Sequence, residues 1–211
     1  MSIPHWILLA CFGAFVGASL FLCLQVAASA RTIDPSKPKG NTWTGVAYSF
    51  TGAMSPLKKE SARRHVPTYV LGLLFHGGVF VGFAWLVALF FDARAPLVLT
   101  RTSVPVLGLT GLCGAALLVK RIVKADLRRL SNPDDYFSNV LVVGFQMMTA
   151  VALVESRILP ALFVYAGVLL LYVPLGKLRH AIYFPMARIY LGAFFGKRGV
   201  WGAKRRNQWE N

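Results

Sequence analysis

Five long apolar runs constrain this chain more than any other feature. A helix needs roughly 20 apolar residues to cross about 30 Å of hydrocarbon. The runs fall at about 4–29, 67–91, 103–119, 138–156 and 158–192. The last carries charge in its second half and is expected to project beyond the bilayer. In lipid every backbone N–H and C=O must be satisfied within the protein, so runs of this length read as helices. The expectation is an all-α integral membrane protein, a single domain over 1–211 built as a bundle of five transmembrane helices. Composition agrees, because only 15% of residues are charged, against roughly 25% in a soluble domain. The first run ends in Ala27-Ala28-Ser29-Ala30, which resembles a signal-peptidase site. No basic residue precedes it and its apolar stretch is too long for a signal, so it reads as a helix.

The net charge is +15, which can mean nucleic acid or basic cytoplasmic loops. Its distribution decides. Loop 30–66 holds Arg31, Lys37, Lys39, Lys58, Lys59, Arg63 and Arg64. Loop 120–137 holds Lys120, Arg121, Lys124, Arg128 and Arg129. The C-terminal part holds Lys177, Arg179, Arg188, Lys197, Arg198, Lys204, Arg205 and Arg206. The other loops hold only Arg94, Arg101 and Arg157. Five helices put these groups on alternate sides, twenty cations against three. The positive-inside rule then predicts an outside N-terminus and a cytoplasmic C-terminus. It also accounts for the charge without any nucleic acid. The expected location is the cytoplasmic (inner) membrane of a prokaryote, as a multi-pass protein.

Loop 30–66, with Pro35, Pro38 and Gly40, reads as irregular, with room for a short interfacial helix near 56–65. Asp134 and Asp135 follow the turn at Ser131-Asn132-Pro133 and read as N-terminal caps of the fourth helix. The tail 196–211 is polar and basic. Cys11, Cys23 and Cys113 lie in apolar runs without metal-ligand spacing. Three thiols are too few for a protein-bound iron–sulfur cluster, which takes about four ligands.

Ionisable groups inside a span mark function. Of four histidines, His5 and His65 fall at helix boundaries, while His76 and His180 lie within helices 2 and 5. His76 is ten residues past Val66, about 15 Å deep at the helical rise. If Arg188 marks the inner edge of helix 5, His180 is eight residues from it, or about 12 Å. Two imidazoles at similar depth are what a b-type haem needs, one on each side of the iron. Gly72, Gly77 and Gly78 would leave room for a porphyrin, and Lys177 and Arg179 could pair with its propionates. Pro174 could kink the fifth helix above the site. The plainer alternatives stay open: a membrane histidine can simply bond a neighbouring helix. The glycines can equally be helix contacts, as Gly108, Gly111 and Gly114 are expected to be.

Three short motifs carry a family resemblance. They are Phe75-His76-Gly77-Gly78; Arg128-Arg129-Leu130 with Asn132-Pro133, Asp135 and Gln146; and Pro174-Leu175-Gly176-Lys177-Leu178-Arg179-His180. Over helices 2 to 5 the chain resembles the membrane cytochrome b (gamma) subunit of respiratory nitrate reductase. It also resembles the related subunits of heterodisulfide-reductase-like and sulfite-reduction-linked complexes. The resemblance implies five helices and, typically, two stacked haems held by paired histidines on helices 2 and 5. It carries His76 and His180 over as the ligands of the inner haem. The outer haem would need histidines where this chain has Leu86 and Leu162, so a single haem b is expected. The same departure puts the family's outer quinone site in doubt.

The implied function is a membrane haem b electron-transfer subunit of a quinone-linked oxidoreductase complex. It would pass electrons between the quinone pool and a cytoplasmic iron–sulfur subunit docked on the basic face. His65 would take an interfacial or docking role, or bind quinone, or hold a second haem. Two other classes remain. One is a haem-free membrane anchor for a soluble redox enzyme. The other is a small transporter, although neither an inverted repeat nor a helix broken at mid-membrane is read from the sequence. No HExxH, GxSxG or P-loop pattern is present.

Overall fold

A computed structural model describes residues 2–29, 37–55, 65–93 and 95–201, and every regular element among them is helical. The α-helices are α1 (Ile3–Ser29), α2 (Thr42–Phe50), α3 (Val66–Phe90), α4 (Leu97–Val123), α5 (Ala125–Arg129), α6 (Pro133–Ala152), α7 (Leu159–Tyr172) and α8 (His180–Lys197). Short 3-10 turns cover Gly52–Met54, Ser156–Ile158 and Lys177–Arg179. The all-α class is as expected.

The number of spans is smaller than five by length and hydropathy. Helices α1, α3 and α4 are long and apolar enough to cross a membrane, and the broken pair α7 and α8 adds a fourth if it forms one span. Together they indicate a multi-pass membrane protein in contact with lipid. Helix α6 does not join them, because it opens on Pro133-Asp134-Asp135 and carries Asn139 and Gln146. The expected fifth helix, 158–192, is interrupted after Tyr172 and resumes at His180. Pro174 has no N–H to continue the helix, and Gly176 lowers its propensity further. A hydropathy window averages straight through such a break.

Loop 30–66 is more regular than expected, because it contains α2. The interfacial helix expected near 56–65, with Lys58, Lys59, Arg63 and Arg64, lies outside the described residues, as do Arg31, Arg94 and the 204–206 cluster. The chain divides into two compact units, Met1–Ala18 with Pro67–Arg179, and Ser19–Val66 with His180–Asn211.

In the first unit α6 packs on both α4 and α7. The fully buried side chains Leu107, Phe145, Leu162, Phe163 and Leu169 come from these three helices. Leu73, Phe80, Leu109, Leu112 and Val168 are exposed apolar residues on the outward faces, as lipid contact requires. One end is aromatic: the His5 ring lies 4.7 Å from Phe163 and 5.5 Å from Phe90. The opposite end is ionic. Lys120 donates to Thr68, Arg121 lies 3.3 Å from Asp135, and Lys177 also pairs with Asp135. The helices of this unit therefore alternate in direction. The ionic end carries Lys120, Arg121, Lys124, Arg128, Arg129, Lys177 and Arg179. Among the described residues the aromatic end has only Arg101 and Arg157.

Asp135 closes a capping box with Asn132. Its backbone N–H donates to Asn132 Oδ1 at 3.0 Å, and its carboxylate accepts from the Asn132 N–H at 3.0 Å. This is the cap expected of the Asp134–Asp135 pair, realised at Asp135 alone. Its side chain is 3% exposed, so the carboxylate also serves as a buried counter-ion for two cations.

In the second unit α2 lies against α8 through glycines. A Cβ on Gly192 would fall 2.5 Å from Val46 Cα, and one on Gly196 would fall 2.8 Å from Gly45 Cα. Only the absence of side chains lets the two backbones approach so closely. Asn41 caps α2, its side chain accepting from the Thr44 N–H at 3.0 Å. The buried Ser49 hydroxyl donates to Arg188 O at 2.8 Å. The Lys39 and Gly40 N–H groups donate to Lys197 O at 2.9 and 3.0 Å, which satisfies a carbonyl at the end of α8. The chain then turns at Gly199, whose φ of 71° is a left-handed conformation that glycine adopts without strain.

Candidate functional site

Helix α3 has two different faces. Phe75, Gly78, Gly82, Trp85 and Leu86 are buried, at the three- and four-residue spacing of one helical stripe. His76 and Gly77 are exposed and Gly72 is half-buried. His76 therefore points away from the core formed with α4, α6 and α7.

The His76 ring is oriented by its own helix. Nδ1 lies 2.7 Å from the Gly72 carbonyl oxygen, an acceptor only, so Nδ1 carries the proton and donates it. A backbone carbonyl fixing the tautomer through one nitrogen is the usual arrangement for a metal-binding imidazole. A Cβ built on Gly72 or Gly77 meets nothing within 4 Å, so among the described residues no helix contact requires either glycine. They leave a smooth backbone surface around the imidazole. Gly78 is different: a Cβ there would collide with Thr110 Oγ1 and Gln146 Oε1. Gly111 and Gly114 are helix contacts as expected, against Met147 and Phe75, but Gly108 faces open space.

Behind α3 lies a small polar cluster in an apolar core. Gln146 on α6 is 0% exposed. Its Nε2 donates to the Phe75 carbonyl at 3.2 Å, and its Oε1 accepts from the Thr110 hydroxyl at 2.7 Å. Thr110 also lies 2.8 Å from Val106 O. One hydroxyl proton serves one acceptor well, and the buried amide oxygen has more need of it than a carbonyl already inside a helix. Sequence reasoning noticed Gln146 only within a motif and missed Thr110. The available clue was a carboxamide inside an apolar run, which must find partners.

The outer-half positions Leu86 and Leu162 are 4% and 0% exposed and belong to one hydrophobic cluster with Phe75, Phe145 and Phe163. That region is filled with packed side chains.

His180 is the first residue of α8, exposed, and belongs to the second unit. Its expected depth presupposed an unbroken helix from 158 to 192. The eight residues from Arg188 to His180 still lie within one helix, but with the span interrupted they are a length along α8 and no longer a depth, and His180 rests on its motif. Lys177, a candidate for a haem propionate, is paired with Asp135 instead. Arg179 is exposed on the adjoining 3-10 turn. His65 is exposed in the turn before α3, at the helix boundary.

Among the described residues no three His, Cys, Asp or Glu side chains cluster as metal ligands; a bis-imidazole haem asks for two. Comparison with protein-family models, curated proteins and solved structures finds no match. The fold and site therefore define a class only: a helical, multi-pass membrane protein with an oriented imidazole on an outward helix face.

Proposed function

We propose that this chain is a membrane haem b electron-transfer subunit of a quinone-linked oxidoreductase complex, passing electrons between the quinone pool and a cytoplasmic iron–sulfur subunit. The observation that carries this reading is the state of His76. Its Nδ1–H is held by the Gly72 carbonyl, and the residue lies on the exposed face of α3 beside Gly72 and Gly77, where a Cβ would meet nothing within 4 Å. A flat macrocycle lying on α3 gives both features a purpose.

His76 would hold the haem iron through one imidazole nitrogen. The second is assigned to His180 by its sequence motif. Haem iron, when bound, supplies one-electron redox chemistry. Arg179 would pair with a propionate, and its positive charge would favour the less positive ferrous state. The close packing of Leu86 and Leu162 favours one haem over two. The exposed cations Lys124, Arg128 and Arg129 favour docking of an acidic soluble subunit on the ionic end. By the positive-inside rule that end is cytoplasmic, in a prokaryotic inner membrane. His65, at the start of α3, suits an interfacial or quinone-contacting role.

The broken helix does not revive the transporter reading. Transporters unwind helices near mid-membrane, whereas this break adjoins Lys177 at the ionic end of the first unit. The test is a reduced-minus-oxidised spectrum of the purified chain and three variants. His76→Ala and His180→Ala are expected to lose the haem b bands, while His65→Ala keeps them. A wild-type chain without those bands is the haem-free anchor. Loss in His65→Ala would overturn the ligand assignment.

A further inference from the structure

Gln146 poses a question that the haem reading leaves open. It is fully buried, yet Leu or Met would fill the same volume in an apolar core without needing partners. The amide adds direction. Nε2 reaches the Phe75 carbonyl, and that carbonyl belongs to the same peptide group as the His76 nitrogen. Carbonyl oxygen has two lone pairs, so it accepts from Gln146 in addition to its helical partner. Gly78 presses the same face of α3 onto Thr110 and Gln146. His76 is two residues away, about 200° around the helix, and therefore points the opposite way. Any rotation of α3 that moved the imidazole would have to break the Gln146 bond or push Gly78 into Thr110.

We propose that Gln146, held by Thr110, is a positioning residue for His76, fixing the rotation of α3 and with it the orientation of the imidazole presented to the iron. The proposal rests on the haem reading above. Thr110 acts one step further back: its hydroxyl donates to Gln146 Oε1 and so turns Nε2 toward Phe75. Neither side chain touches the outward face, so an effect on the haem must pass through the peptide of His76.

The experiment uses the full chain, purified in detergent, as wild type and as Gln146→Leu, Thr110→Val and Thr110→Ser. Haem content, reduction potential, the electron paramagnetic resonance g-values of the oxidised haem and thermal unfolding are measured on each. Thr110→Val keeps the shape and removes the donor; Thr110→Ser keeps the donor. The expected result is that Gln146→Leu and Thr110→Val retain haem but shift both potential and g-values in the same direction. Thr110→Ser stays with the wild type. If Gln146→Leu fails to fold, Thr110→Val decides alone. Haem-loaded Thr110→Val with unmoved potential and g-values overturns the proposal and leaves the haem reading intact. An equal shift in Thr110→Ser overturns it as well, since the hydroxyl would not be the cause. A wild-type chain without haem removes the haem reading and this inference together.

Discussion

Gly77 and Gly78 are neighbours in sequence on different faces of α3, and alanine at the two positions should have opposite effects. At Gly78 a Cβ would overlap Thr110 Oγ1 and Gln146 Oε1, a hydrogen-bonded pair that cannot part without leaving buried polar atoms unpaired. Overpacking of this kind costs about 1–3 kcal/mol. Alanine returns up to about 1 kcal/mol of helix propensity, so the net loss is about 0–2 kcal/mol. At Gly77 the Cβ meets nothing within 4 Å, so only the gain of up to about 1 kcal/mol remains. The propensity gain is common to both, so the two variants should differ by the overpacking cost of about 1–3 kcal/mol, or roughly 2–12 °C in Tm for a chain of this size. The assay is thermal unfolding in detergent followed by a thiol-reactive fluorophore, because Cys113 is buried and becomes reactive when the first unit opens. Equal melting temperatures would refute the packing argument. Haem content adds a second arm: Gly77→Leu should still fold, giving a cooperative melt, yet lose its haem. Full haem content in Gly77→Leu would show that this face of α3 does not hold the macrocycle.

The remaining predictions concern the ionic end and the second unit. Asp135→Ala removes the counter-ion of Arg121 and Lys177 together with half of a capping box. Breaking a buried pair costs about 3–5 kcal/mol, but the two cations are 37% and 50% exposed and solvent offsets part of that. The expected loss is about 2–3 kcal/mol, read as a lower Tm; a change below the scatter of the melts would refute it. Lys177→Ala leaves Arg121 in place and should cost about 1 kcal/mol or less, by the same melt. Gly196→Ile places a branched side chain against the α2 backbone, so proteolysis within 42–50 should quicken at least several-fold; an unchanged cleavage rate would contradict the close contact. In inverted vesicles a cysteine at Lys124 should label from the cytoplasmic face and one at Arg157 should not, and the reverse pattern would overturn the orientation.

Much of this architecture was legible from the chain because bilayer constraints are simple. Four of the five apolar runs became single helices near their expected places, and Asn132-Pro133-Asp134-Asp135 announced the start of α6 through chemistry that is local to four residues. The break after Tyr172 was written in Pro174 and Gly176, but proline is also tolerated as a kink in membrane helices, so its outcome depends on surrounding contacts. Helix α2 was illegible for a different reason. At nine residues it is too short to be stable alone, and it depends on Gly192 and Gly196 over a hundred residues away. Their four-residue spacing is the visible trace of that contact. At the site, the sequence identified His76 as an ionisable group in a span. It could not separate Gly72 and Gly77, which face open space, from Gly78, which a neighbouring helix needs. That distinction appears only once α4 and α6 are in place.

The central claim is one haem b per polypeptide. Pyridine haemochrome quantification against protein concentration, on the full chain purified after expression with ample haem supply, measures this directly. The account predicts a ratio near one, and a ratio near zero or near two would contradict it.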